Sequence, residues 1–139
     1  MKARIKWLEQ VTFVGESGSG HSVVMDGAPD AGGRNLGFRP MEMLLLGLGG
    51  CSAFDVMLIL KRGRESVTDC VIEIDADRAE TDPKVFTSIR MRYIVTGRAL
   101  DPKKVERAVA LSAEKYCSAT AILGKTAQIA HSLEIVEAV

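Results

Sequence analysis

The chain has 139 residues, with 18 Lys+Arg against 18 Asp+Glu and a formal net charge of zero. That balance excludes a strongly basic footprint for nucleic acid or an anionic membrane surface. An apolar content of 47% beside 26% charged residues is that of a soluble globular protein, and the length suits one domain over residues 1–139.

Residues 2–8 alternate, with Ala3, Ile5 and Trp7 on one face and Lys2, Arg4 and Lys6 on the other, which predicts a half-wet strand. Val11–Val14 reads as a second strand, Gly15–Gly20 as a turn and Ser22–Asp26 as a third strand, together an antiparallel meander. The Gly-, Pro- and Asn-rich run from Ala28 to Phe38 reads as a loop long enough to serve as a lid.

Pro40 to Gly63 carries the signals of a long helix. Pro and Glu lie in its first turn, and Lys61 and Arg62 precede a closing glycine. Between Met43 and Leu60 only Ser52 and Asp55 are clearly polar, so almost no face can be wet. Such a rod could span a bilayer by length. Glu42, Asp55 and three glycines are expensive in lipid, so a buried core helix is expected.

Val67–Asp77 and Val85–Thr96 alternate as a hairpin. Cys70, Ile72, Ile74 and Ala76 face inward on the first strand, and Val85, Ile89, Met91, Tyr93 and Val95 on the second. Asp101-Pro102 is an N-cap with Pro at the first helical position, opening a helix to about Tyr116 with a stripe of Val105, Ala108, Val109, Ser112 and Tyr116. Ser118–Leu123 is a short helix, and Gln128–Val136 a last strand. The order implies an α+β fold with antiparallel sheet against the rod. One small sheet covers only one flank, so a homodimer built around two such helices is expected.

Three cysteines are an odd set, unlike the even framework of a secreted disulfide scaffold. With Met-Lys-Ala-Arg leading straight into alternating sequence, a reducing cytoplasm is the expected setting. Cys70 reads as a plain hydrophobe. Cys51 and Cys117 lie beside helices among small neighbours, a pattern that suits either two structural thiols or a redox pair. Asp55, one turn after Cys51, opposes a thiolate there if it faces the same cleft. The free N–H groups of the short helix would favour one at Cys117. His21 reads as a surface hydrogen-bonder and His131 as a core or interface residue. Neither pairs with a cysteine at metal-ligand spacing, so no metal and no cofactor is expected.

PMEMLLLGLGGCSAFDV, followed much later by SAEKYCS, resembles the two halves of the osmotically inducible protein C (OsmC)/organic hydroperoxide resistance (Ohr) family. GESGSGH, MDG, RPMEM, FTSI and IVTGR place the resemblance nearest its YhfA-like branch, over nearly the whole chain. It implies an OsmC-like fold, an intertwined homodimer with active sites at the subunit interface, and thiol-dependent reduction of organic hydroperoxides in oxidative stress defence. By position, Cys51 matches the peroxide-attacking cysteine and Cys117 the resolving one, with an external dithiol as reductant. Three departures stand out. Met41 occupies the place of the family's Glu, with Glu42 one position later; VGESGSGH lacks the family's arginine; and Ser118 replaces a frequent Pro. Arg39, beside the helix start, is the first candidate for the missing cation, ahead of Arg34, Lys115 and His21. The alternative is the same dimer retained to bind a small apolar molecule or to sense redox state.

Overall fold

Residues 1–139 are described by a computed structural model, whose contacts divide them into two units, Met1–Leu46 and Gly47–Val139. In the first unit β1 (Ala3–Glu9), β2 (Thr12–Ser17) and β3 (Ser22–Met25) form the expected antiparallel meander in the order β1-β2-β3. The second strand runs further than the glycines suggest. Gly15 pairs with Ile5 on one side and Val23 on the other, and backbone groups with partners on both sides stay in the ladder. The turn thus shrinks to the residues after Ser17, with Gly20 at φ +90°.

The expected lid segment is tied down from within. Asp26, only 2% exposed, accepts hydrogen bonds from the N–H groups of Gly27 (2.8 Å), Arg34 (3.1 Å) and Leu36 (3.2 Å). Gly33 lies so close that a Cβ there would stand 2.0 Å from the Gly27 carbonyl oxygen. Burial pushes the Asp26 carboxyl up, but bonds from Leu36, Gly27 and Arg34, with the Thr12 hydroxyl, outweigh it and hold it below the usual range.

Helix α1 (Pro40–Arg62) has the expected ends. Its burial differs from the all-round burial expected. Leu48, Ser52, Val56 and Leu60 are buried, one residue every four, whereas Leu46 (53%), Phe54 (70%) and Leu58 (37%) are bare. The reason is the one that predicts a dimer: the chain's own elements reach one flank of the rod.

In the second unit β4 (Ser66–Arg78) and β5 (Phe86–Arg98) form the long hairpin. Its outer face carries the cross-strand pairs Glu73↔Arg92 and Asp75↔Arg90, closed as ion pairs at 2.9 and 2.7 Å. The inner face holds Ile89, Met91, Tyr93 and Val95, all buried. Phe86, not Val85, is the first buried residue, because the register shifts between Asp77 and Arg78 and breaks the alternation at Thr87. Helix α2 (Pro102–Leu111) starts as expected, with the Asp101 carboxylate accepting from the Lys103 N–H at 3.0 Å. It stops sooner than expected and passes into a π-helical turn over Ser112–Tyr116. The wider turn rotates Tyr116 off the buried stripe, leaving it 50% exposed. After α3 (Ser118–Leu123), β6 (Gln128–Glu137) joins β5 in parallel, giving the order β4-β5-β6. This corrects the antiparallel expectation for the last strand. A hairpin must return antiparallel, but β5 reaches β6 through two helices, and such a crossover permits the parallel direction.

The depressed Asp26 carboxyl stabilises the fold above the ordinary unfolded-state range, about pH 3.9, and that contribution disappears as pH falls through its lower folded value. Asp26→Asn is therefore expected to lower the urea midpoint clearly at pH 7. The gap to wild type should narrow on acidification below pH ~4, as read by urea titrations at several pH values.

Candidate thiol site

Cys51 and Asp55 are four apart on α1 and so project from one face, a turn from each other. Cys117 arrives from the other end of the chain at the break between the π-turn and α3, where it is the N-cap residue (φ −74°, ψ 102°). Its backbone N–H donates to the Ser112 carbonyl at 2.9 Å, the five-residue bond that closes the π-turn. The two Sγ atoms and a carboxylate oxygen of Asp55 all lie within 4.8 Å of one another. Both thiols are free; Cys51 and Asp55 are half-buried and Cys117 is buried.

A chain of hydroxyls runs behind this cluster. Tyr93 OH lies 2.6 Å from Ser52 Oγ, Ser52 Oγ 2.9 Å from Ser112 Oγ, and Ser112 Oγ donates to Asp55 Oδ2 at 3.1 Å. An ionised carboxylate can only accept, which sets the direction of the whole chain. Ser112 gives its proton to Asp55, Ser52 gives its own to Ser112, and Tyr93 donates to Ser52. Burial holds the Tyr93 hydroxyl above its usual range, which keeps it a donor. His131 stacks on Tyr93 with centroids 5.8 Å apart, is half-buried, and has its basicity lowered by burial.

The N–H contribution expected for Cys117 at the start of α3 is present but outweighed. Burial pushes the Cys117 thiol up, and its hydrogen bonds with Thr120 only partly oppose this; Cys51 beside it adds to the rise. The Thr120 N–H does reach the sulfur, at 3.4 Å, but one N–H from a six-residue helix is outweighed by desolvation. Burial likewise raises Cys70, with Asp69 adding to it. That thiol stands outside the cluster, as expected of a hydrophobe.

Of the residues considered as cations, Arg34, Arg39 and His21 belong to the first unit and Lys115 to the second. Arg34 pairs with Glu9 at 2.5 Å. Arg39 donates to Asn35 Oδ1 at 2.6 Å and stands 4.0 Å from Glu42. His21 is exposed in its turn. Lys115 lines a cleft of about 290 Å³ together with Cys117, Thr120 and Lys125, its ammonium 5.3 Å from the Tyr116 ring centre. Sequence reasoning placed Ser52, Asp55 and Ser112 but not their connection. The π-turn that aims Ser112 at Asp55 leaves no mark in SAEKY, and Thr120 and Lys125 carried no signal at all.

A family model described as OsmC-like protein matches residues 32–132. The chain belongs to the OsmC family. It is 50% identical to Protein YhfA of Escherichia coli K12 over 141 residues, which covers 99% of this chain and 100% of that protein. A hypothetical protein from Aquifex aeolicus VF5, whose crystal structure is known, is 30% identical with a TM-score of 0.87, covering 99% of this chain and 97% of that one. An organic hydroperoxide resistance protein OsmC from Legionella pneumophila superposes with a TM-score of 0.73 at 16% identity, covering 96% and 95%. At that identity the likeness is one of fold. The OsmC fold in this chain thus includes the two three-stranded sheets and the long helix described above.

The hydroxyl chain is a stability element as well as a support for Asp55. Ser52→Ala strands the buried Tyr93 hydroxyl, whose next partner is Met91 Sδ at 3.9 Å. The expected loss is about 1–3 kcal/mol, read by urea unfolding, whereas Tyr93→Phe should cost less because it removes the stranded donor itself.

Proposed function

We propose that this OsmC-family protein is a cytoplasmic, homodimeric thiol peroxidase that reduces small apolar organic hydroperoxides. The observation that carries the reading is the meeting of two free thiols, 66 residues apart (117 − 51), in one cluster within 4.8 Å. The Legionella relative is an organic hydroperoxide resistance protein, which supports the same class of substrate.

Half-buried Cys51 meets the peroxide while Cys117, its thiol raised by burial, stays protonated. The Cys51 thiolate attacks a peroxide oxygen; an S–O bond forms as the O–O bond breaks, and the departing alkoxide takes a proton to become the alcohol. Cys117 then displaces the hydroxyl of the Cys51 sulfenic acid, forming the S–S bond and releasing water. An external dithiol, itself oxidised to a disulfide, returns both cysteines to thiols. Arg39 precedes Cys51 by about 18 Å of helix, so the charge it is proposed to lend the peroxide comes from the other chain of the dimer. A second reading, a dimer that binds a small apolar ligand or registers oxidation without turnover, is favoured by two observations. VGESGSGH contains no arginine, and the Asp55 carboxylate stands in the thiol cluster.

Thiol counting after addition of cumene hydroperoxide separates these. Wild type is expected to lose two thiols per chain, at least about a hundredfold faster than an ordinary exposed thiol, the lower end of what oriented charge supplies. Cys51→Ser should lose none at that rate, Cys117→Ser should stop at a sulfenic acid trapped by dimedone, and Arg39→Ala should slow the first step about tenfold. Wild type reacting no faster than Cys51→Ser sinks the peroxidase reading. Oxidation without repeated turnover in the presence of a dithiol favours the second.

The dimer is supported by a bare row on α1 opposite the buried one. Leu46, Gly50, Phe54 and Leu58 are all exposed, and an apolar strip of this kind marks an interaction surface. Sedimentation is expected to give twice the chain mass for wild type, and mostly monomer for Phe54→Asp at micromolar concentration.

A further inference from the structure

We infer that the reduced protein binds one thiophilic divalent cation of the zinc class through Cys51 Sγ, Cys117 Sγ and an Asp55 carboxylate oxygen. The three donors converge within 4.8 Å. Tetrahedral coordination with Zn–S of about 2.3 Å and Zn–O of about 2.0–2.2 Å places such donors roughly 3.5–3.8 Å apart, so a closure of at most about 1.3 Å completes the set. Two of the three come from adjacent turns of one helix, Cys51 and Asp55 at i and i+4, which is a spacing that puts both on one side of an ion.

The surroundings are those that a metal site requires beyond its ligands. Asp55 is oriented by the Ser112 hydroxyl at 3.1 Å, itself fixed by Ser52 and Tyr93, and Cys117 Sγ receives the Thr120 N–H at 3.4 Å. Outer-shell hydrogen bonds of this kind hold ligands in place and govern affinity. A divalent cation displaces the thiol protons to solvent and offsets the negative charge that two sulfurs and a carboxylate then share, so binding weakens as pH falls. The donor set also selects the ion. Two sulfurs exclude magnesium and calcium, whereas a carboxylate beside them suits zinc, cobalt(II) or cadmium better than copper(I). With three protein ligands and Cys51 and Asp55 only half-buried, the fourth position belongs to solvent. Metal and disulfide are mutually exclusive, since both use the same two sulfurs. The site therefore reports the reduced state, independently of whether the thiols turn over peroxide.

The test is titration of the reduced, chelator-washed protein with cobalt(II), with no peroxide present. Wild type and Cys70→Ser are expected to develop a sulfur-to-cobalt charge-transfer band saturating at one ion per chain. Cys51→Ser and Cys117→Ser should lose most of the band, and Asp55→Asn should bind at least about tenfold more weakly, the least that loss of an outer-shell partner costs. No band in wild type, or a band that survives Cys117→Ser or binds unchanged in Asp55→Asn, overturns the assignment. A second measurement needs no variant: saturating zinc should abolish most alkylation of Cys51 in wild type while leaving Cys70 unaffected, as read by peptide mapping. Equal labelling with and without zinc overturns it as well. Peroxide consumption, measured separately on metal-free protein, leaves either result standing.

Discussion

One hydroxyl on a greasy stripe organises the second unit. Ser52 occupies a buried position between Leu48 and Val56 where a methyl group would pack, and its Oγ must therefore find partners inside. It finds Tyr93 on β5 and Ser112 at the start of the π-turn. Those contacts tie the rod, the sheet and the α2 end to one another at a single point. Because Ser112 also opens the bond that closes the π-turn on the Cys117 N–H, the placement of the second thiol beside the first follows from the placement of a serine.

The same chain of hydroxyls gives the cluster its electrostatic character. Its protons all point one way, toward Asp55, and a carboxylate that receives them is held still and held as an acceptor. Two thiols with a carboxylate beside them differ chemically from a pair set beside a cation. Whatever meets these sulfurs has to satisfy a negative neighbour, by bringing positive charge or by leaving with its own.

Much of this was legible beforehand. Pro40 and the Lys61-Arg62-Gly63 stop marked the helix; alternation marked Ile72, Ile74, Met91 and Tyr93; and Asp101-Pro102 marked the start of α2, since caps and periodicity act over a few residues. Longer-range features were not. The direction of β6 depends on the path of α2 and α3, not on the residues of QIAHSLEIVE. The exchange of Val85 for Phe86 depends on a register shift that only the partner strand defines. Within the site, Cys51 and Cys117 stood out by type, and Asp55 by its polarity on an apolar rod. Ser112 read as one more small residue on a stripe, because a π-turn is a product of what it packs against.

The spacing of the covered residues on α1 has a geometric consequence. Positions four apart advance about 400° around a helix of 3.6 residues per turn, so the covered line and the bare line opposite it both wind obliquely across the axis. Rows of this inclination interlock with their like at a crossing of about 50°, not side by side. Two such rods brought together along their bare lines would cross like an X, and Gly50, which has no Cβ and open space around it, lies where the backbones can come nearest.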